Sequence, residues 1–340
     1  MSETGLSGGE GDGAAGLLAS ARARLAAAAA DLALPPSWRL SEWQRATVAR
    51  LLAALVRGIE EELRARLAGA FAYEVISAAL GSAHLPIVEE IVEPLERLLD
   101  PPLAAALLRR AEEHRLARDG AGGLVGDLTG DPDPATAAAA MALLILASGR
   151  VDGFGEPVFG RFDLPAEVQH RLTWRTAASL RHYLVARHDV APGEADRAVA
   201  AAAADWLARY DEGEGIDARA LRLARRLDET GRLDDALFAR LLAEAGLPLM
   251  LAALAARTNL APADLWPVLA DRHGAPLLLR ASGIGRDAAA RILLQLGTAE
   301  AGLADRLGAF DASSAAEADL LLSPWRADPA YRDAIVDLGG

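Results

Sequence analysis

The chain has 340 residues, a formal net charge of −13 and 52% hydrophobic residues. It contains no Cys and no Lys, so all 35 basic residues are Arg. That excludes thiol catalysis, Cys-ligated clusters, Walker A and protein-kinase phosphate sites, and Schiff-base chemistry.

The acid excess runs along the whole chain and neither half is basic. A nucleic-acid surface therefore lacks its electrostatic footprint, and anionic membranes are disfavoured. Val, Ile and Thr number 14, 9 and 9, too few for a large sheet. Ala and Leu dominate, and both are strong helix formers. The expected fold is all-α and multi-helical, with α-solenoid-like helical hairpins in the C-terminal half.

Residues 1–13, rich in Gly, Ser and acid, read as a disordered tail. Gly5, Ser7 and Gly9 fit a nucleophile elbow, but no strand and helix flank them. A helix is expected over 14–32, stopping at Pro35 and Pro36. Ser41 and Gln44 have capping-box spacing and open the next helix. Leu51, Leu52, Leu55 and Ile59 form its apolar stripe, with Gly58 a point of interruption before 59–70. Further helices are expected over 86–99 and from Pro101 or Pro102 to 118, then a Gly-rich loop over 120–133. Pro134 opens an apolar helix ending near Gly149. Its run 137–147 is too short to span a bilayer and reads as a helix buried on all sides. The N-terminus has no basic region followed by an apolar core, so the expected localisation is cytoplasmic.

Segment 150–163 holds half of the six Phe residues, Phe154, Phe159 and Phe162. It reads as a crossover pinned on the core by those rings or, functionally, as a binding loop. Asp163 is expected to cap a helix running to about 187, with Pro165 in its first turn. Another helix follows over 192–210. The acidic Gly run 211–215 reads as a linker between an N-terminal helical domain, 14–212, and a C-terminal one, 216–340. It is no EF-hand, because Gly213 and Gly215 occupy ligand positions.

Beyond the linker, 237–256 repeats as 265–284 after a shift of 28 residues. Leu237 aligns with Leu265, Phe238 with Trp266, Gly246 with Gly274 and Pro248 with Pro276. A Gly-x-Pro between two apolar stretches reads as stop, turn and restart. Both Gly are expected in a left-handed conformation, and the aligned apolar pairs in equivalent layers. Short helices are expected near 286–296, 314–322 and 329–338.

Several constellations could carry chemistry. Glu167 and His170 form one Glu-x-x-His pair, where di-iron bundles need two; His182 and His188, six residues apart, do not share a face. The expectation is no metal. Gly283, Gly285 and Ala288 fit a dinucleotide pattern that needs a preceding strand, which the repeat replaces with helix. Arg219, Arg222 and Arg226 recur at helical spacing beside Arg225. They read as an anion- or acidic-peptide-binding stripe, or as a solvated face paired with Asp228 and Glu229. Trp38, Trp43, Trp174, Trp206, Trp266 and Trp325 are isolated core or groove aromatics.

The stretch Leu164-Pro-Ala-Glu-Val-Gln-His170-Arg-Leu-Thr-Trp174 resembles a bacterial all-helical family of unknown function that carries Leu-Pro-x-Glu-x-x-His-Arg-Leu. The likeness continues through Gly231-Arg-Leu-Asp-Asp-Ala-Leu to about Ile284. It implies a helical fold and assigns no catalytic residues.

The reading that follows is a non-catalytic cytoplasmic adaptor or regulator that binds a protein partner through a helical groove. Arg219, Arg222, Arg226, Phe154 and Phe159 are the candidate partner-binding residues, and no cofactor is expected. The alternative is a small-molecule sensor or enzyme that uses 150–163 with Glu167, His170 and Arg171. A pocket joining that loop to those three residues would favour the alternative; an exposed apolar groove would favour the adaptor. DNA binding by short helix–turn–helix units is opposed by the charge.

Overall fold

A computed structural model describes residues 40–71, 74–82, 86–117, 123–160, 162–297 and 300–338. The tail 1–13, the helix expected over 14–32 with its Pro35–Pro36 stop, and Trp38 lie outside the described residues. The chain falls into two units, Met1–Ala46 and Thr47–Gly340. The described residues form helices and no strand; Val151 and Pro157 meet in a single antiparallel bridge.

Short polar side chains set where many helices begin. Ser41 and Gln44 close a capping box, with Ser41 N–H on Gln44 Oε1 at 2.8 Å and Gln44 N–H on Ser41 Oγ at 3.2 Å. Helix α1, Glu42–Leu67, follows and runs unbroken through Gly58. The expected interruption does not occur: one helical Gly costs about 1 kcal/mol, less than burial of Val56, Ile59 and Leu63 contributes. Helix α2, Glu74–Gly81, was not foreseen.

The helix expected over 86–99 is split. Helix α3, Ile87–Ile91, ends before Pro94, and a 3-10 turn, Leu95–Leu98, follows. Proline pushes the residue before it out of the α region. Buried Glu60 caps α3 from α1, accepting from Ile87 N and Val88 N at 3.0 Å each.

Helix α4, Pro101–Leu116, starts at Asp100, which accepts from Leu103 N at 3.0 Å. The expected loop 120–133 contains helix α5, Gly123–Leu128, because Leu124, Val125 and Leu128 bury on the core. Asp133 caps α6, Pro134–Ser148, through Thr136 N at 3.1 Å. That helix is not buried on all sides: Met141 is 46% and Ile145 63% exposed.

Helices α7, Ala166–His188, and α8, Pro192–Ala208, pack against each other. Pro165, not Asp163, stands at the α7 start. Residues 211–215 hold a 3-10 turn, Glu212–Glu214, before α9, Ile216–Glu229. The remaining helices are α10 Asp235–Glu244, α11 Leu247–Thr258, α12 Pro262–Ala270, α13 Gly274–Ala281, α14 Arg286–Gln295, α15 Glu300–Asp311, α16 Ala315–Leu321 and α17 Pro329–Asp337. Of these, α15 was not foreseen.

Two cores interleave along the chain. Leu51 to Ala111 join Leu164 to Trp206 in one. Leu116 to Leu143 join Ile216 to Leu322 in the other. Helix α9 lies between α6 and α11 in this second core.

The repeat forms as two helical hairpins, α10–α11 and α12–α13, with Pro248 and Pro276 in first turns. Gly246 has positive φ, +85°, as expected, but with ψ at 173° it is extended rather than left-handed helical. Gly274 does not adopt positive φ. It is Gly because a Cβ there would lie 2.5 Å from the Val268 carbonyl oxygen, and Asp271 caps its N–H at 2.7 Å. Nor are the layers equivalent. Phe238 is buried and Leu237 half-buried, whereas Leu265 is buried and Trp266 half-buried. Helix α12 turns Trp266 toward a cleft instead. Leu277 and Leu279 are helical, so no strand leads into Gly283 and the dinucleotide reading is discarded.

Candidate functional site: a charge-locked cleft

The cleft of about 460 Å³ lies where α4, segment 159–165, the 212–217 turn and α12 meet. Its apolar walls come from Phe159, Phe162, Leu164, Ile216, Trp266 and Pro267. Helical spacing places Arg109, Arg110 and Glu113 on the cleft side of α4.

Arg150 organises the floor. Its Nη1 donates to Glu113 Oε1 at 2.8 Å and its Nε to Asp163 Oδ2 at 2.7 Å. Asp163 also accepts from Gly160 N at 2.8 Å and from Ile216 N, at the start of α9, at 3.4 Å. It is needed in this cluster, which is why it does not cap α7. Arg110 Nε donates to the Val158 carbonyl at 3.0 Å, and its Nη2 donates to that of Arg150. Arg109 grips Asp217 at two points, one of them 2.7 Å long.

The electrostatics follow from these pairs. Burial and the adjacent Arg150 push the Arg110 guanidinium down to about 10. Burial also opposes the charge on Arg150, but Glu113 and Asp163 outweigh it and raise its proton affinity above the ordinary Arg value. Burial would raise the Asp217 carboxyl; Arg109 outweighs this and holds it below the usual carboxylate range. Tyr210 donates to the Leu164 carbonyl and packs edge-on to Phe162, with centroids 5.7 Å apart. Burial and the neighbouring carboxylates of Glu212, Asp163 and Asp211 raise its hydroxyl well above the ordinary tyrosine value.

The candidates named from sequence scatter. Phe159 lines the cleft, but Phe154 is 93% exposed at the tip of a turn and does not pin the loop. Phe159, which packs on the core of Leu164 to Trp206, holds the loop together with the buried guanidiniums of Arg110 and Arg150. Arg219 pairs with Glu214, and Arg222 lies 3.7 Å from Glu214 and donates to the Gly213 carbonyl. Arg226 pairs with Asp133 at 2.8 Å, and with Glu229 at 3.4 Å.

Glu167 and His170 are exposed, and His170 Nε2 accepts from Trp174 Nε1 at 3.0 Å. Arg171 pairs with Asp100 at 3.0 Å. These three residues are not part of the cleft wall. Among the described residues, no three His, Asp or Glu side chains are grouped to hold a metal ion. Sequence reasoning passed over Arg109, Arg110, Glu113, Arg150 and Asp217. The available signal was the Arg-Arg-x-x-Glu spacing on α4 and the Arg and Asp that bracket the three-Phe segment.

Fold and site together define a multi-helical protein, without strands among the described residues, with a cleft of locked ion pairs between apolar walls. The chain belongs to a family described as uncharacterised protein conserved in bacteria (DUF2336), matched over residues 99–323. That span contains every residue lining the cleft. No curated protein and no solved structure matches the chain. Among the described residues, no helix is long and apolar enough to cross a membrane.

Proposed function

We propose that this protein is a non-catalytic cytoplasmic adaptor or regulator that receives a segment of a protein partner in the cleft. One observation carries the reading: Phe159, Phe162 and Trp266 wall a floor whose three arginines are each engaged by carboxylates. Arginines held this way are not free to capture a substrate anion, and their pairing keeps the floor rigid. Aromatic walls over a rigid floor suit anchoring of apolar side chains, the usual centre of binding energy at a protein interface. The net charge of −13 favours encounter with a basic partner segment. The volume also suits a small ligand, which is the second reading.

The test is a photo-crosslinking residue in place of Ala263 in cells, followed by mass spectrometry of the captured segment. The corresponding synthetic peptide is then titrated against the full chain. Trp266→Ala and Phe159→Ala are each expected to weaken binding at least tenfold. Equal affinity of the wild-type and Trp266→Ala proteins would count against the proposal. A small molecule retained by the native protein and lost in Trp266→Ala would support the second reading.

A further inference from the structure

We infer that the exposed face of α6 is where a second copy of this chain docks. The inference uses a different surface from the cleft. Helix α6, Pro134–Ser148, has no charged residue along its length, yet only Thr136, Ala140 and Leu143 are buried. Ala138, Met141, Ile145 and Ser148 are exposed. Their steps of three and four residues follow the seam spacing of paired helices. A helix with one face in water ordinarily carries charge there. Just past its end, Val151 is 47% and Phe154 93% exposed. Phe154 is presented on a fixed turn: Asp152 accepts from Phe154 N at 2.8 Å and from Glu156 N at 2.9 Å.

Three arguments select a second copy as the occupant. The face is self-complementary. Ala138 and Ala142 form a row of small residues, and Met141 and Ile145 form a row of large ones beside it. Parallel packing about a two-fold axis running along the helices sets each large row against the other copy's small row. Charge points the same way: two copies at −13 repel, and an uncharged seam lets them touch without opposing like charges. The area also suffices. Taking roughly 200 Å² for a fully exposed large side chain, Met141, Ile145, Val151 and Phe154 together offer on the order of 500 Å² per copy. A total near ~1,000 Å² is the threshold for a specific interface, so the dimer is expected to be concentration-dependent.

The full chain is studied by sedimentation equilibrium from about 1 µM to about 500 µM. A monomer–dimer equilibrium is expected, with Ile145→Asp weakening it at least tenfold while the circular dichroism spectrum is unchanged. Because the chain has no Cys, a single introduced thiol reports contact cleanly. Met141→Cys, near the middle of the seam, should crosslink to its twin under mild oxidation, whereas Arg181→Cys on α7 should not. A protein that stays monomeric across the range overturns the inference. So does a dimer indifferent to Ile145→Asp, or a monomer whose Met141→Cys thiol is shielded from alkylation, which would mean the same chain covers the face.

Discussion

Arg150 donates from Nε to Asp163 Oδ2 across 2.7 Å, so the residues that bracket the three-Phe segment are tied directly to each other. The tie closes a long loop at its neck, as in compact Ω-type lobes. Through Glu113 it reaches α4, and through Ile216 N the start of α9. One guanidinium thereby fixes three of the four elements that shape the cleft.

Removing that guanidinium should be costly. Arg150→Met would leave the Asp163 carboxylate, 4% exposed, without its cation, and Glu113, 5% exposed, with only Arg110 at 3.5 Å. Breaking a buried pair from one side costs about 3–5 kcal/mol, which lowers Tm on the order of 10 °C in a chain of this size. The combined variant Arg150→Met, Asp163→Asn should recover part of the loss, since Glu113 keeps Arg110 as its partner and no carboxylate is then stranded. Calorimetry of the two variants checks this; a single variant as stable as wild type would contradict the clamp.

The Arg109–Asp217 pair should make stability depend on acid. Burial raises the Asp217 carboxyl and Arg109 lowers it by more, so its folded value lies below that of the unfolded chain. A depressed carboxylate adds stability above the unfolded value, about 3.9, and loses it as the pH falls through the folded value. Asp217→Asn should therefore be less stable than wild type at pH 7, with the gap closing below about pH 4. Urea midpoints of both proteins from pH 7 to pH 2 test the sign. A gap that is constant over that range would show that the pair contributes nothing through charge.

The helical class was legible because Ala and Leu dominate and β-branched residues are few. The helix starts were legible at Ser41, whose spacing to Gln44 reads as a capping box, and at Pro101 and Pro134, which open first turns. Breaks were harder to read. Gly58 reads as one and is not, because Val56 and Ile59 close to it are buried, whereas Pro94 is one. The cleft was only half legible. Phe159 was noticed for its aromatic ring, but Arg109 and Asp217 are 108 residues apart in sequence. A contact at that range leaves no local periodicity or motif. An Asp before a helix most commonly caps it; at Asp163 the long-range partner Arg150 prevails. The exposed face of α6 was hidden by its own composition, since an all-apolar helix reads as buried whatever covers it.

The glycines offer a last test, because four of them should respond differently to the same change. Gly215 sits where a Cβ would lie 2.2 Å from the Phe162 carbonyl oxygen, and Gly274 where it would lie 2.5 Å from that of Val268. Both contacts are to backbone, which cannot rotate away as a side chain can, so Gly215→Ala and Gly274→Ala should each cost about 1–3 kcal/mol. At Gly246 the nearest atom is 3.7 Å away, but φ is +85°. Ala at this site is strained by about 1 kcal/mol through its own backbone. Gly58 lies inside α1 with nothing within 4 Å of an added Cβ. Ala there narrows the unfolded ensemble and should stabilise by about 0.5–1 kcal/mol. Chemical denaturation of the four variants should thus give two large losses, one smaller loss and one gain. If Gly215→Ala were neutral, the 212–217 turn would not pack against the Phe162 segment as described, and the cleft would lose one of its walls.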